Sequence, residues 1–304
     1  MQPQTPRHYI GRFAPSPTGP LHAGSLFAAL ASYLDAKANS GQWLLRIEDV
    51  DTLRNVKGAC EMIIKSLRSH GLDWDGDIHY QADKDVYYQA GLDQLASQGQ
   101  VYYCDCTRAK LRENPGPYPG FCRQKKKVDY DDASAHMPAS HAIRLDCGKQ
   151  KYSFNDRVLG PQSFNMQTLG DCILKRRDSL FAYQLAVVMD DAAQEVTHVV
   201  RGADLLESTA WQIALQKSLN LPSVNYAHLP VITLANSAQK LSKQTGATAL
   251  NDQCANKNLL LALQQLNQPL PLSPEQLPTE AIITWAIEHW DIQRIRKRSC
   301  KSVD

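Results

Sequence analysis

The 304 residues contain no apolar run long enough to cross a membrane, no internal repeat and almost no net charge. The most conspicuous apolar helix expected, Leu26 to Leu34, falls well short of the ~20 residues that a bilayer requires. Met1-Gln2-Pro3-Gln4-Thr5-Pro6 lacks the apolar core of a secretory signal. A formal charge of +2 leaves total charge unable to recruit a nucleic acid, so such a partner has to be met by local clusters. Two stand out, Arg123 with Lys125, Lys126 and Lys127, and Arg294 with Arg296, Lys297, Arg298 and Lys301. Eight cysteines require no disulfides in a chain long enough to bury a sizeable core, and Cys60, Cys147, Cys172, Cys254 and Cys300 read as packing or surface residues. The expectation is a reducing, cytoplasmic setting.

What is present begins at residue 12. Arg12-Phe13-Ala14-Pro15-Ser16-Pro17-Thr18-Gly19-Pro20-Leu21-His22-Ala23-Gly24-Ser25 joins a short strand over His8–Phe13 to a rigid Pro/Gly turn and then to a helix start. Apolar residues at Leu26, Phe27, Leu30, Tyr33 and Leu34 have helical spacing. The first helical turn therefore presents unpaired N–H groups and the positive end of its dipole at the end of the strand, an arrangement that binds anions such as phosphate. His22 and Ser25 add side-chain donors there. Far downstream, Lys240-Leu241-Ser242-Lys243-Gln244 follows the apolar stretch Leu229–Leu234 in a Ser-, Asn-, Gln- and Gly-rich segment with the composition of a mobile loop. Lysines on such a loop can close over a triphosphate and follow its charge to the leaving pyrophosphate.

Between these two signals the pattern alternates. Gln42–Ile47 reads as a strand, Ile63, Ile64 and Leu67 as a helix face, Gly71–Asp77 as a loop, and Val86, Leu92 and Leu95 as another helix. Residues from about 101 to 175 interrupt the alternation with cysteines, prolines and basic stretches. It resumes around Ala182–Val188, and Val196–Val200 looks like a core strand ending at Arg201-Gly202, where the carboxyl ends of parallel strands collect ligands. Trp285, Ile287 and Trp290 suggest a late helical face.

Together the two signals resemble those of class I aminoacyl-tRNA synthetases, with His22–Ser25 at the first signature and Lys240–Gln244 at the second. Ser25 replaces the usual terminal histidine of the first, and Gln244 the usual serine of the second. Arg12–Gly19, Leu45–Asp49 and Arg201–Asp204 resemble the glutamyl branch. Only 60 residues follow Gln244, too few for the large helical anticodon-binding region of a full glutamyl-tRNA synthetase, and the chain is most similar to the glutamyl-queuosine tRNA(Asp) synthetase family. The resemblance implies an α/β fold: a Rossmann-like catalytic domain in two halves, 1–100 and 176–235, an inserted zinc-binding subdomain at 101–175, and the second signature loop with a short C-terminal helical region at 236–304.

Cys104-Asp105-Cys106, then Tyr118 and Cys122, lie in a Pro/Gly-rich segment. Three thiolates and one further donor would close a tetrahedral structural zinc site, and chemistry alone leaves the fourth ligand open among Tyr118, His136, His141 and Cys147. The resemblance implies Cys104, Cys106, Tyr118 and Cys122, with one Zn²⁺ per chain.

The same resemblance implies L-glutamate, ATP with Mg²⁺, and queuosine-containing tRNA(Asp) as substrates, with no membrane and no stable protein partner. Glutamate brings two carboxylates and an ammonium, so its site needs cations, an acceptor and a placed hydroxyl. Arg12, Phe13, Ala14, Pro15, Ser16, Glu48, Tyr183 and Arg201 are the expected glutamate site, with Glu48 on the α-ammonium and the arginine that reads the side chain left open. His22, Gly24, Ser25, Lys240 and Lys243 are the expected ATP site, and His22 and Lys243 the catalytic pair. By implication, glutamyl-adenylate forms first, and a cyclopentene hydroxyl of queuosine in the anticodon loop then takes the glutamyl group as an ester.

Overall fold

The computed structural model describes residues 8–113, 116–124, 141–230 and 248–296, with backbone alone at 232–233 and 300–301. Lys240, Lys243, Lys125–Lys127 and His136 lie outside the described residues.

Strand β1 (Ile10–Phe13) runs into the Pro/Gly turn, and α1 (Ala23–Ala38) follows it. His22 caps this helix, its Nδ1 accepting the Ser25 N–H at 3.2 Å. The helix AGSLFAALASYLDAKA is apolar on nearly every face, and most of its residues from Leu26 to Ala36 are buried. Such a helix belongs inside the molecule rather than on its surface. One side lies on β1 and β2 (Gln42–Ile47), and the other packs on α8 (Ala255–Gln265) and α9 (Thr279–Glu288). The turn back from α1 requires Gly41, because a Cβ there would sit 2.5 Å from the Tyr9 carbonyl oxygen, the group that accepts the Gln42 N–H.

β1 pairs in parallel with β2, Ile10 opposite Gln42 and Phe13 opposite Leu45, and β2 pairs in parallel with β3 (His79–Tyr80). β9 (His198–Gly202) and β10 (Asn225–Leu229) form a second parallel pair. Thr197 joins the two sets: its N–H donates to the Ile10 carbonyl at 2.9 Å, and its Oγ1 accepts the Ile10 N–H at 2.9 Å. The strand order is thus β3-β2-β1-β9-β10, and the winding direction reverses between β1 and β9. The crevice outside the carboxyl ends at such a reversal is where open α/β sheets bind ligands. Helices α2 (Ala59–Ser69), α3 (Asp85–Ser97), α6 (Tyr183–Ala193) and α7 (Leu206–Ser218) complete this layer.

Between α3 and α6 the chain changes character. β4 (Val101–Cys104), β5 (Ala142–Leu145) and β8 (Ile173–Lys175) form an antiparallel sheet, with α4 (Arg108–Arg112) after β4. β6 (Lys151–Asp156) and β7 (Gly160–Asn165) form a hairpin, followed by the short α5 (Met166–Leu169).

Two details differ from the sequence expectation. Val86 is 87% exposed in the first turn of α3, where the core has not yet reached, while Leu92 and Leu95 are buried. Trp290 lies beyond the end of α9, and its indole N–H donates to Asp35 Oδ1 at 3.0 Å. The basic cluster at 123 also changes meaning. Arg123 is paired with Asp171 at 2.7 Å and Asp146 at 3.0 Å, because Asp171 is fully buried and needs a counter-charge.

Asp35, in the last turn of α1, gathers distant segments. It accepts from Tyr9, from Arg157 in the β6–β7 turn and from Trp290 near the C-terminal helices, and is itself 1% exposed. Asp35→Ala is expected to cost about 3 kcal/mol in urea unfolding, since it strands a cation, the buried Tyr9 hydroxyl and the half-buried Trp290 N–H. Asp35→Asn, which keeps acceptors, should cost distinctly less; equal losses would deny Asp35 this role.

Candidate active site

A cavity of about 760 Å³ opens at the reversal between β1 and β9. The end of β1 and the following turn supply Arg12, Phe13, Ala14, Pro15 and Ser16, and the start of α1 supplies His22, Gly24 and Ser25. Glu48 enters from the end of β2, Tyr183 from the start of α6, and Arg201 from the end of β9. Every residue expected at the site that falls among the described residues therefore lines one cavity; Lys240 and Lys243 are outside them.

Backbone hydrogen bonds lock the turn against the sheet. The Glu48 N–H donates to the Pro15 carbonyl at 3.0 Å and the Val56 N–H to the Pro17 carbonyl at 2.9 Å. Proline's fixed φ and missing N–H make this segment stiff, with carbonyls left over for neighbours. At the helix start, the Ser25 N–H is turned onto His22, which fixes His22 Nδ1 as an acceptor and places the proton of a neutral ring on Nε2.

The floor of the cavity is an ion network. Arg12 Nε donates to Asp191 Oδ1 at 3.2 Å, and Arg46 Nη2 to the same oxygen at 2.6 Å. All three side chains are at most 6% exposed. Burial alone would push the Asp191 carboxyl up, but Arg12 and Arg46 outweigh it and hold it below the ordinary carboxylate range. Glu48 fares differently. Its Oε1 is buried, has no hydrogen-bond partner among the described residues, and has the Arg46 guanidinium no closer than 3.7 Å. Burial pushes its carboxyl up to about 7 against the pull of Arg46 and Arg12. A buried oxygen lacking a donor at the edge of a cavity is suited to a ligand cation.

Arg201 is 5% exposed and held from behind. Its Nη2 donates to Thr209 Oγ1 at 2.8 Å and Gln212 Oε1 at 2.7 Å on α7, and its Nε to His228 Nε2 at 3.1 Å. His228 must therefore carry its proton on Nδ1, which lies 2.6 Å from Asp156 Oδ2. Burial holds the His228 imidazole below its ordinary value, in keeping with a neutral ring beside a guanidinium. Nη1 contacts Tyr183 OH at 3.3 Å at the cavity wall.

Sequence reasoning missed Asp190, Asp191, Asp156, His228, Thr209 and Gln212, and the wall residues Asp51, Arg54, Gln81 and Arg176. A readable signal existed for the first pair, because two adjacent aspartates closing the apolar run Leu185–Met189 demand buried cations. Asp190 receives Gln81, Tyr88 and Lys84.

The cysteine segment forms a separate cluster. Cys104, Cys106 and Cys122 have their sulfurs within 4.8 Å of one another. Tyr118 OH stands 3.5 Å from Cys104 Sγ and 3.7 Å from Cys106 Sγ, and the Cys106 and Cys122 sulfurs are 3.6 Å apart. Ligands around a tetrahedral zinc ion, with bonds of about 2.3 Å to sulfur and about 2.0 Å to oxygen, stand about 3.5–3.8 Å from each other, and these three separations match that spacing. Burial pushes the Cys106 thiol up to about 11 and the Tyr118 phenol above its usual range, a crowding that a divalent cation reverses. Gly170 makes room for the site, since a Cβ there would meet the Tyr118 carbonyl oxygen at 2.4 Å. Of the other fourth-ligand candidates, Cys147 packs in a different apolar cluster and His141 lies against the Tyr103 ring.

A family model described as the catalytic domain of class I tRNA synthetases (E and Q) matches residues 10–262. A glutamyl-Q tRNA(Asp) synthetase of Serratia proteamaculans (strain 568) is 46% identical over 299 residues, spanning 98% of this chain and 95% of its own. Its namesake from Thiobacillus denitrificans is 46% identical over 297 residues, spanning 95% of this chain and 96% of its own. Among solved structures, a glutamate-tRNA synthetase from Elizabethkingia anophelis superposes with a TM-score of 0.81 at 24% identity, covering 98% of this chain and 68% of that one, a likeness of fold. Among the described residues no helix is long and apolar enough to cross a membrane.

The Glu48 carboxyl makes a pH-dependent contribution to stability. Below its unfolded value of 4.5 it is neutral in both states; between there and about 7 the unfolded chain releases the proton first. Its contribution therefore falls as pH rises across that window and then levels off. In urea melts at several pH values, the stability of Glu48→Gln relative to the parent should rise between pH 4.5 and 7; a pH-independent difference would sink the assignment.

Proposed function

The chain belongs to the glutamyl-Q tRNA(Asp) synthetase family of class I tRNA synthetases, and from that premise we infer that its cavity activates L-glutamate with ATP and passes it to queuosine in the anticodon loop of tRNA(Asp). The observation that carries the reading is the pairing, at one cavity, of a buried carboxylate oxygen lacking a hydrogen-bond donor with two restrained arginines. An amino dicarboxylate matches that set. Its ammonium supplies Glu48 with the missing cation, and its carboxylates meet Arg12, Tyr183 and Arg201, with the backbone of Phe13 to Ser16 as the adjoining wall.

In the first step an α-carboxylate oxygen of glutamate attacks the α-phosphorus of ATP. A new P–O bond forms as the bond to the bridging oxygen breaks, and pyrophosphate leaves. His22, the Gly24 and Ser25 segment and the positive end of α1 lie where the phosphates would rest. Lys240 and Lys243 join them as the cations that follow charge onto pyrophosphate, with Mg²⁺ carried by the nucleotide. Neither step needs a covalent enzyme intermediate. In the second step a cyclopentene hydroxyl of queuosine attacks the activated carbonyl carbon; the ester C–O bond forms, the bond from that carbon to the anhydride oxygen breaks, AMP leaves with that oxygen, and the hydroxyl proton passes to solvent. In this reading the reaction is a cytoplasmic one.

Residues 101–175 form the inserted unit in this reading, and Cys104, Cys106, Tyr118 and Cys122 hold one structural zinc ion. Bound there, zinc ties the end of β4 to the Tyr118–Cys122 turn and takes no part in the chemistry.

Two measurements test these assignments. Labelled glutamate, ATP and Mg²⁺ are supplied with tRNA from queuosine-containing and queuosine-deficient cells, and the label is mapped after nuclease digestion. Label confined to the anticodon fragment, and only with queuosine present, is expected; label at the 3′ adenosine would make the protein a charging enzyme. Metal analysis should find about one zinc per chain, reduced strongly in Cys122→Ser, and a stoichiometry near zero in protein never exposed to chelator would remove the metal.

A further inference from the structure

The helix α4 has the sequence Arg-Ala-Lys-Leu-Arg, and Leu111 packs against the cluster of Cys104, Tyr118 and Cys122. With the apolar residue turned inward, Arg108, Lys110 and Arg112 are left exposed. Thr107 fixes the start of the helix, accepting the Lys110 N–H at 3.2 Å. The Lys110 ammonium lies 5.9 Å from the ring of Phe121, an aromatic that is itself 38% exposed.

A chain of hydrogen bonds joins this helix to the mouth of the cavity. Arg177 Nη2 donates to the Asp105 carbonyl at 2.9 Å, which holds the 176–177 turn against the start of the α4 segment. Arg176 Nη1 reaches Asp51 Oδ2 at 2.6 Å, and the same oxygen receives Arg54 Nε at 2.6 Å. Asp51, Arg54 and Arg176 line the cavity. Asp51 is engaged by two arginines and Asp178 by Arg176, while Asp105, just before α4, is an exposed acid whose carboxylate stands 3.1 Å from the Cys122 sulfur. Glu113 is the one further exposed acid beside α4 among the described residues. By contrast, Arg123 is held by Asp146 and Asp171, so the cluster that stood out in the sequence begins with a residue already engaged in the fold.

We infer that this basic band, from Arg54 at the cavity rim through Arg177 to Arg108, Lys110 and Arg112, is the surface that holds the phosphate backbone of the tRNA while the anticodon loop reaches the cavity. The inference rests on the functional reading above. A chain whose net charge is only +2 must concentrate cations where a polyanion docks, and spaced guanidiniums with an adjoining exposed aromatic suit phosphates beside unstacked bases. None of these residues touches the ion network of Arg12, Arg46, Glu48 and Asp191, so docking and activation are separable.

The test uses the full chain and queuosine-containing tRNA(Asp), with binding followed by fluorescence anisotropy from 50 to 200 mM salt. Arg108→Gln/Lys110→Gln/Arg112→Gln and Arg177→Gln are expected to weaken binding, the triple variant by ~10-fold or more. The slope of log affinity against log salt should fall by about 0.7–0.9 for each phosphate that the variant no longer neutralises. Arg108→Lys/Arg112→Lys/Arg177→Lys, which keeps the charges, should retain the parent slope, and glutamate and ATP affinities by calorimetry should be unchanged in all variants. Parent affinity and slope in the glutamine variants would overturn the band. Failure of the functional reading shows elsewhere, as parent-enzyme label at the 3′ end, and leaves the binding comparison to decide the band on its own.

Discussion

The buried carboxylate of Asp191 is the interaction on which the site depends. Two guanidiniums, from β1 and β2, end beneath the cavity floor, and without a shared anion their burial would cost several kcal/mol each. Asp191 lies near the end of α6, so the ion pairs hold that helix against the sheet as they hold the arginines in place. With both cations bonded to one carboxylate, Glu48 is left at the edge of the network, 3.7 Å from Arg46 and lacking a hydrogen bond on Oε1. The pocket is thereby built one cation short, the deficit that the α-ammonium of the proposed substrate would fill.

The opposite wall restrains its arginine with different chemistry. Arg201 leaves β9 and is gripped by Thr209, Gln212 and the neutral face of His228, whose tautomer Asp156 determines from the end of β6. The β6–β7 hairpin lies outside the parallel sheet in sequence, yet it decides how an arginine of that sheet is oriented. Asp35 ties the turn of that hairpin to α1 and to Trp290 beyond the last helix. The segment between α3 and α6 therefore supports the cavity as well as the sulfur cluster.

Much of this was readable locally. The strand at Ile10–Phe13, the helix after His22, the strand ending at Arg201-Gly202 and the change of character after Val101 all follow from hydrophobic spacing and turn residues over windows of ten or so positions. The cysteine spacing likewise brought out Cys104, Cys106 and Cys122, whose sulfurs the fold gathers, while leaving the fourth donor open. Val86 and Trp290 went against their spacing for a plain reason: periodicity identifies a helix face but not where the core stops covering it.

The pairing of Asp191 with Arg12, 179 positions away, and of Asp156 with His228, 72 away, has no local signature. Nor does local sequence separate Arg123, paired with Asp171, from Arg108, Lys110 and Arg112, which stay in solvent. Residue type and short-range spacing set which elements form and which side chains carry charge. Which of those charges meet was decided by the reversal of the sheet between β1 and β9, because a buried ion is stabilised only by what the fold brings within about 3 Å of it.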